Sequence, residues 1–355
     1  MRSCAKFVPV LCTQSSRSGS LWRKNSISGW TSSGRTATQE NTMSRPFVVA
    51  FHKVNSGVAY HRVFAPLICH QEADVMFVEK ITDIEPEVWP KITHFFSSRA
   101  FPVEPFDDFV RLCRKEGIKL IIDNDDWWVL PPNHPLNGFY GRQMKDRIIR
   151  SMKAADEVWV TNKHLASKVK KYNTNIRVIP NAISVPTWQI NREPSEKVRF
   201  GYIGGNHHQA DIRDSTIDLS GYESYVAEVD NYPDMMKAAY KLPTMPPTHY
   251  HRLYEYFDVS LVPLTGSEFA KCKSHLKMLE AGFSKCALIV SNTHPYTPYI
   301  TKDNCIAINH PSEWAGAIKR LNNNPNQVQD IAESLYEYVQ DYTMDKINQL
   351  RCFTL

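Results

Sequence analysis

The chain has 355 residues, of which 42% are hydrophobic and 11% aromatic. This length allows two domains of ordinary size, and the composition excludes collagen-like, disulfide-scaffold and wholly disordered classes. No window approaches the about 20 apolar residues that a membrane-spanning helix needs. The formal net charge of +5 lies entirely in residues 1–42, which carry six basic residues and one acidic residue, whereas the remainder carries 36 of each.

Residues 1–42 are rich in Ser, Thr, Arg and Gly and have no repeating apolar face. This composition is typical of a transit peptide or of a poorly ordered extension. Met43 directly precedes the first predicted strand and is a candidate start codon, so we expect 1–42 to be a disordered or non-native extension. The eight cysteines form no CxxC pair and have no histidine at zinc-ligand spacing, which predicts a cytoplasmic location and no bound metal.

From residue 47 onward, short β-rich runs alternate with helical stretches. The predicted strands of the first half are 47–51, 74–78, 94–96, 119–122, 157–161 and 176–180, and the predicted helices are 58–68, 106–116 and 164–172. Near-continuous apolar strands separated by helices indicate a parallel sheet covered on both faces. Residues 43–181 are therefore predicted to form one α/β domain.

Residues 182–197 are polar and contain two prolines, which predicts a linker. A second α/β series follows it. Its predicted strands are 198–203, 258–262, 287–290 and 305–308, and its predicted helices are 273–283, 314–321 and 328–342. We expect a second domain over 198–342 and a short tail over 343–355, and we assign no regular element to 212–250. Two doubly wound, Rossmann-like domains of this kind face each other across a cleft, where ligands bind at the carboxyl ends of the strands.

A glycine pair, Gly204-Gly205, follows the first strand of the second domain. Glycine lets the backbone approach a ligand phosphate closely, with amide groups free to donate. His208, just after the pair, is a candidate donor to phosphate or sugar. A plain tight turn is an equally good explanation of two glycines taken alone.

Lys273, Lys277 and Glu280 lie at positions i, i+4 and i+7 of a predicted helix and so share one face. The lysines, the helix amides and the helix dipole together attract a diphosphate, and a carboxylate two turns further on can accept both hydroxyls of a ribose. The alternative is a solvent-exposed Lys–Glu face. The buried strand that follows, 287–290, favours the ligand-binding interpretation.

An acidic run that includes Asp123 and Asp125 directly follows the strand at 119–122. Active sites of parallel sheets form at such strand ends. Three interpretations are open here: a metal-binding DxD, a catalytic base, and a polar cap of the strand. The sequence shows no pattern of further oxygen ligands that a metal would need. We therefore favour a polar cap of the strand, with contacts to an acceptor, over a metal site.

Four segments resemble retaining GT-B glycosyltransferases of the GT4, or glycosyl transferases group 1, family, in a divergent form similar to phage and bacterial members. Residues 155–162 followed by 178–183 resemble the passage between the two domains of that family, and residues 201–205 resemble the first strand and loop of its donor domain. Residues 273–291 resemble its donor-binding segment, and residues 57–62 resemble the glycine-containing loop after its first strand. The likeness covers most of residues 47–342.

The resemblance implies an enzyme of class EC 2.4 that moves a sugar from a nucleotide diphosphate sugar to a glycan, lipid or protein acceptor. It implies retention of configuration, with no metal and no cofactor beyond the nucleotide sugar as co-substrate, and it names no nucleophile. The implied contacts are the donor diphosphate on Gly204, Gly205, Lys273 and Lys277, the ribose on Glu280, sugar or phosphate on His208, and the acceptor-side cleft on Gly57, Arg62, Asp123 and Asp125.

Two positions depart from the family pattern. The family has another glutamate eight positions before the one at 280, where this chain has Cys272. It also has a basic residue on the loop after the first donor-domain strand, where this chain has Asn206, His207 and His208. These departures support an alternative function, that of a catalytically inactive, glycosyltransferase-like binding protein.

A second alternative is a metal-dependent transferase of the GT-A type that uses Asp123 and Asp125. Nucleic acid is not expected as the prime partner, because the residues after 42 have a net charge of zero. A basic run over 163–171 leaves peripheral contact with an anionic membrane open. The sequence predicts neither the donor sugar, the nucleotide, the acceptor nor the oligomeric state.

Overall fold

The computed structural model describes residues 45–52, 56–130, 134–205, 207–227, 229 and 231–354. The extension predicted at 1–42, the candidate start Met43 and the loop residue Asn206 lie outside the described residues. Within them the chain forms two six-stranded sheets, and every strand pairing in both is parallel. The predicted α/β architecture with two Rossmann-like domains is confirmed.

The first sheet has the strand order β2-β1-β3-β4-β5-β6. Its strands are β1 (Phe47–Phe51), β2 (Asp74–Val78), β3 (His94–Ser98), β4 (Lys119–Asn124), β5 (Glu157–Val160) and β6 (Ile176–Val178). Its helices are α1 (Gly57–Ala59) and α2 (Ala65–Ile68), joined by a π-helical segment (Tyr60–Phe64), then α3 (Phe106–Lys115), α4 (Arg142–Ala154) and α5 (Lys163–Val169). All six strands were predicted, whereas α4 was not, because its many charged residues dilute the narrow apolar stripe that it buries.

The second sheet has the strand order β12-β11-β10-β7-β8-β9. Its strands are β7 (Arg199–Tyr202), β8 (Glu223–Ala227), β9 (Tyr240–Leu242), β10 (Val259–Val262), β11 (Ala287–Ser291) and β12 (Ile306–Ile308). The helices of this half are α6 (Gln209–Ser215), α7 (Tyr232–Met235), α8 (Glu268–Lys271), α9 (Leu276–Phe283), α10 (Glu313–Asn322), α11 (Pro325–Val339) and α12 (Met344–Asn348).

Two predictions about this half are corrected. Residues 212–250 do follow the helix–strand alternation, since they supply β8 and β9. Strand β9 forms the sheet edge and β8 lies next to it, and both lack the continuous apolar run of a central strand. The helix predicted over 273–283 begins at Leu276, after a turn in which the Lys273 amide donates to the carbonyl oxygen of Ala270. Lys273 therefore precedes the helix rather than opening it.

The two faces of the first sheet are covered by different parts of the chain. Helices α3, α4 and α5 pack on one face, where Phe109, Met152 and Leu165 join the buried core. On the other face, Val63 packs with Phe353 and with residues of α12 in a second cluster. The C-terminal residues thus return from the second sheet to complete the first. None of the helices in the described ranges has the length and apolar character needed to cross a membrane.

A glycine in the central strand β7 makes room for an aromatic ring. A Cβ atom at Gly201 would lie 2.0 Å from the side chain of Phe257, which is fully buried. Any larger residue here must displace that ring from a close-packed core.

We expect Gly201→Ala to lower the free energy of unfolding by roughly 1–3 kcal/mol, the usual cost of overpacking. The measurement is urea unfolding, with Gly316→Ala as the control. A Cβ at Gly316, in the exposed middle of α10, would meet nothing within 4 Å, so this substitution should stabilise by about 0.5–1 kcal/mol. Equal midpoints for Gly201→Ala and the parent chain would contradict the packing argument.

Candidate functional site

Glu280 lies on α9 at the junction between the two sheets and is 3% exposed. Its Oε2 atom accepts a hydrogen bond of 2.9 Å from the hydroxyl of Tyr254, and its Oε1 atom lies 3.8 Å from Nε2 of His61 on the first domain. Burial raises the pKa of the Glu280 carboxyl to about 7, against the opposing effect of Lys277. Burial lowers the pKa of His61 to about 4, so this ring is neutral at pH 7.

Lys277 lies one turn before Glu280 on α9 and is half-buried. Its Nζ atom donates to the carbonyl oxygen of Ile203 and lies 5.6 Å from the ring centroid of Tyr202. Burial lowers the pKa of this group to about 8, although Glu280 favours the charged form. A cation in such a place is stabilised whenever an anion joins it.

Lys273 lies between groups from both domains. Its Nζ atom donates to Nε2 of His207 over 3.0 Å and lies 3.8 Å from a carboxylate oxygen of Asp126 in the first domain. It also lies 4.6 Å from the ring centroid of Phe269. Burial and then the charge of Lys273 depress the pKa of His207, which is therefore neutral and able to accept this bond.

His208 is buried and hydrogen-bonded to a carboxylate. Its Nδ1 atom donates to Oδ2 of Asp211 over 2.7 Å, and its backbone amide donates to the hydroxyl of Tyr232 over 3.0 Å. Burial keeps the pKa of His208 well below its usual range. The residue nevertheless stands next to His207, with 4.3 Å between the ring centroids, and so belongs to the same cluster.

The glycine pair has a packing role that the sequence did not reveal. A Cβ at Gly204 would lie 2.3 Å from the hydroxyl oxygen of Tyr202, whose side chain is fully buried. A Cβ at Gly205 would lie 3.1 Å from the ring of His207. Gly204 is therefore needed for packing whatever binds nearby, and a role in phosphate binding stays a prediction.

Arg62 and Asp123, predicted to face the acceptor side of the cleft, are 1% and 0% exposed. The guanidinium of Arg62 donates from Nε to Oδ1 over 2.9 Å and from Nη2 to Oδ2 over 2.6 Å. Both oxygens of Asp123 are therefore occupied, and the pair has no surface on which an acceptor could bind. The expectation that Arg62 faces the cleft is corrected accordingly, because a desolvated carboxylate needs the guanidinium as a partner.

The remaining predicted acceptor-side residues have different surroundings. Asp125 accepts a hydrogen bond of 3.0 Å from Nε of Arg99, and Gly57 is exposed at the start of α1. Within the described ranges, no three His, Cys, Asp or Glu side chains are grouped as a metal site requires. With Asp123 paired to Arg62, this geometry gives the metal-binding DxD interpretation no support.

Four residues at the junction were missed as site residues: His61, Asp126, Asn162 and Tyr254. Each is distant in sequence from the group that it contacts, and no local spacing connects them. His61 and Asn162 lie in segments that the family resemblance quotes, at 57–62 and 155–162, and Asp126 lies in the acidic run after β4. These were the signals that the sequence offered. Tyr254 lies on a 3₁₀ segment (Tyr250–Tyr256), which carried no signal.

A comparison with protein-family models and with curated protein sequences gives no match. The structure itself is similar to Anabaena HepE in complex with UDP-glucose, with a TM-score of 0.58 over 85% of this chain and 97% of that one, at 9% identity. It is also similar to sucrose-phosphate synthase from Thermosynechococcus elongatus, with a TM-score of 0.55 over 80% of each chain, at 12% identity. The chain has the GT-B fold.

A third structure, a glycosyltransferase from Rickettsia africae, superimposes with a TM-score of 0.55 over 86% of this chain and 97% of that one, at 9% identity. Likeness at these identities describes the path of the chain and not its chemistry. Glu280 and Lys273 lie where the two domains of this chain contact each other, and Lys277 lies between them in sequence on α9.

Proposed function

We propose that this chain is a glycosyltransferase that takes a sugar from a nucleotide diphosphate sugar and transfers it to a glycan, lipid or protein. The observation that carries the proposal is the convergence of Lys273, Lys277 and Glu280 at the junction of the two domains. Lys273 contacts His207 and Lys277 contacts the carbonyl oxygen of Ile203, both on the segment after β7, and Glu280 lies one turn beyond Lys277 on α9, so the three charges share one small region. The GT-B fold supports the same conclusion.

The two lysines suit the leaving group of such a reaction. Transfer of the sugar leaves negative charge on a nucleoside diphosphate, and preorganised cations with little access to water stabilise that charge strongly. We therefore propose that Lys273 and Lys277 bind the diphosphate and that no metal is required. We also propose that the reaction retains the configuration of the sugar, as the resemblance to retaining GT-B enzymes implies. No nucleophile is assigned.

Glu280 suits the ribose. In its ionised form the carboxylate can accept two hydrogen bonds from neighbouring hydroxyls, and its Oε1 atom lies 3.8 Å from Nε2 of the neutral His61 ring. Uridine nucleotides are the first donors to test, because the HepE structure contains UDP-glucose. The acceptor is left as a glycan, lipid or protein.

An inactive binding protein is the competing function, and Cys272 favours it. The thiol at this position is fully buried against the core of the first domain, and burial raises its pKa to about 12. It offers neither charge nor hydrogen-bonding capacity to a donor sugar, so recognition of the sugar must come from other groups if transfer occurs.

We expect a nucleoside diphosphate to raise the melting temperature in a screen of UDP, GDP, ADP and CMP. A ligand at 100 times its Kd stabilises the folded state by about 2.7 kcal/mol. Lys277→Met should abolish this shift while leaving the free protein stable, since a buried charge is replaced by an apolar chain of similar length. Lys319→Met, on the exposed face of α10, is the matched control and should keep the shift.

Turnover of the corresponding nucleotide sugars separates the two functions. Release of the nucleoside diphosphate, alone or with added acceptors, supports a transferase. A nucleotide shift without any turnover across the panel favours the binding protein. No shift with any nucleotide would show that the site is wrongly assigned.

A further inference from the structure

A buried asparagine of the first domain holds the backbone next to Lys273. Asn162 is 4% exposed and lies at the N-terminus of α5, directly after β5. Its Nδ2 atom donates to the carbonyl oxygen of Cys272 over 2.9 Å and to that of Lys273 over 2.8 Å. Its Oδ1 atom accepts from the amide of Leu165 over 2.8 Å. Both amide hydrogens thus cross from the first domain to the second.

A second asparagine holds the other side of the same turn. Nδ2 of Asn181 donates to Oγ of Ser274 over 2.7 Å, and its Oδ1 atom accepts from Nη1 of Arg62 over 3.0 Å. Lys273 therefore stands between two anchors, each supplied by the first domain. The turn 272–274 belongs to no helix, so its carbonyl oxygens depend on such partners for their hydrogen bonds.

These bonds join separate domains, and they are made only when the two domains meet in this arrangement. The same arrangement brings Nζ of Lys273 to His207 and toward Asp126. The bonds from the Asn162 side chain to the carbonyl oxygens of Cys272 and Lys273 fix the backbone of Lys273. The contacts with His207 and Asp126 then fix the position of its ammonium group. Contact between the two domains therefore also sets the position of Lys273.

We propose that Asn162 is a positioning residue that, on contact of the two domains, orients Lys273 toward the diphosphate of the nucleotide donor. The proposal rests on the proposed function, in which Lys273 binds that diphosphate. Asn162 itself contacts no substrate in this account. It acts through the carbonyl groups of Cys272 and Lys273.

The test compares Asn162→Ser with a variant that loses two equivalent hydrogen bonds, from an asparagine amide to backbone carbonyls, at a position within the first domain. Serine keeps a capping oxygen for α5 but has no amide hydrogens for the two carbonyls. Asn173 is the matched control, because its Nδ2 atom donates to the carbonyls of Met152 and Ala155, both at 2.8 Å and both within the first domain. Asn162→Asp, which also caps but sets a carboxylate against the carbonyls, is the second variant.

The readout is the ratio of affinities for a nucleoside diphosphate and its monophosphate, measured by calorimetry with UDP and UMP, GDP and GMP, and ADP and AMP. For the best-binding pair we expect Asn162→Ser to reduce this ratio by roughly tenfold, the value of one to two hydrogen bonds. Asn162→Asp should reduce it at least as much. Asn173→Ser should lower the unfolding midpoint and leave the ratio unchanged.

The outcomes distinguish this inference from the proposed function. Binding of a diphosphate by the parent chain with an unchanged ratio in both Asn162 variants overturns the positioning role alone. If both variants bind the diphosphate and the monophosphate more weakly by the same factor, the ratio is also unchanged. This result overturns the positioning role too, because a displaced Lys273 would weaken binding of the diphosphate more than that of the monophosphate. Failure of the parent chain to bind any of the six nucleotides overturns the function and the inference together.

Discussion

Replacement of Arg62 by Met is expected to lower the free energy of unfolding by about 3–5 kcal/mol, the usual cost of breaking a buried ion pair from one side. The guanidinium makes two bonds to Asp123, and Nη1 donates further to the carbonyl oxygen of Ile179 over 2.9 Å and to Asn181. Without it, a carboxylate with no exposed surface loses the partner that binds both of its oxygens. Denaturant unfolding at pH 7 is the measurement.

A double variant, Arg62→Met with Asp123→Leu, isolates the ionic part of this loss. Removal of both charges leaves no unpaired ion, so the double variant should recover much of the stability lost by Arg62→Met. Burial already raises the pKa of Asp123, while Arg62 lowers it. Arg62→Met removes that opposing effect, so its deficit should shrink as the pH falls and the carboxyl takes up a proton. A loss below 1 kcal/mol at pH 7 would contradict the account.

The sequence was sufficient to predict the strands that lie in the middle of each sheet. Residues such as Val48, Phe95 and Val259 are fully buried. A strand that is buried on both faces has apolar side chains at consecutive positions, and this run is visible in the sequence. Strand β8 and the edge strand β9 have no such run of apolar side chains. Strand β9 exposes Tyr240 and Lys241, so its sequence is that of a loop until the neighbouring strand is known.

The candidate site divides in the same way. The spacing of Lys277 and Glu280 predicted two charges on one face of a helix, because neighbours on one helix face are fixed by local geometry. Lys273 precedes that helix, so its position near them does not follow from helical spacing. Their partners are set by the meeting of the two domains, which no local pattern describes. The bond from Asn162 to the turn before α9 spans 111 residues. Arg62 and Asp123 show the opposite error. A charged residue of the π-helical segment and one near the end of β4 were taken for a binding surface, whereas they neutralise each other.

Affinity for UDP-glucose is expected to be greatest between about pH 7 and pH 8. Glu280, with a pKa of about 7, must be ionised to accept two ribose hydroxyls, and Lys277, with a pKa of about 8, must be protonated to bind the diphosphate. Affinity should fall up to about tenfold for each pH unit outside these limits. UDP-glucose suits the measurement because its diphosphate is a diester and does not itself titrate between pH 6 and pH 9.

Two substitutions assign the limbs of this profile. Glu280→Gln should remove the acidic limb and weaken binding at pH 7.5 by about 10–100-fold, the value of hydrogen bonds to a charged group. Lys277→Arg should move the alkaline limb beyond pH 9, since a guanidinium keeps its proton. A parent profile that is flat from pH 6 to pH 9, or one whose acidic limb survives Glu280→Gln, would show that these groups do not bind the donor.

The free protein should show the reverse dependence in its stability. The folded-state pKa of Glu280 is raised, so the folded chain keeps a proton that the unfolded chain has lost, and stability falls as the pH rises from about 4.5 to about 7. The folded-state pKa of Lys277 is lowered, so stability rises between about pH 8 and pH 10.5. Between these ranges both groups are charged, buried and most costly. UDP-glucose should therefore raise the melting temperature most at the pH where this pair stabilises the free protein least, because the donor adds hydrogen bonds to Glu280 and an anionic partner to Lys277 when both groups are charged.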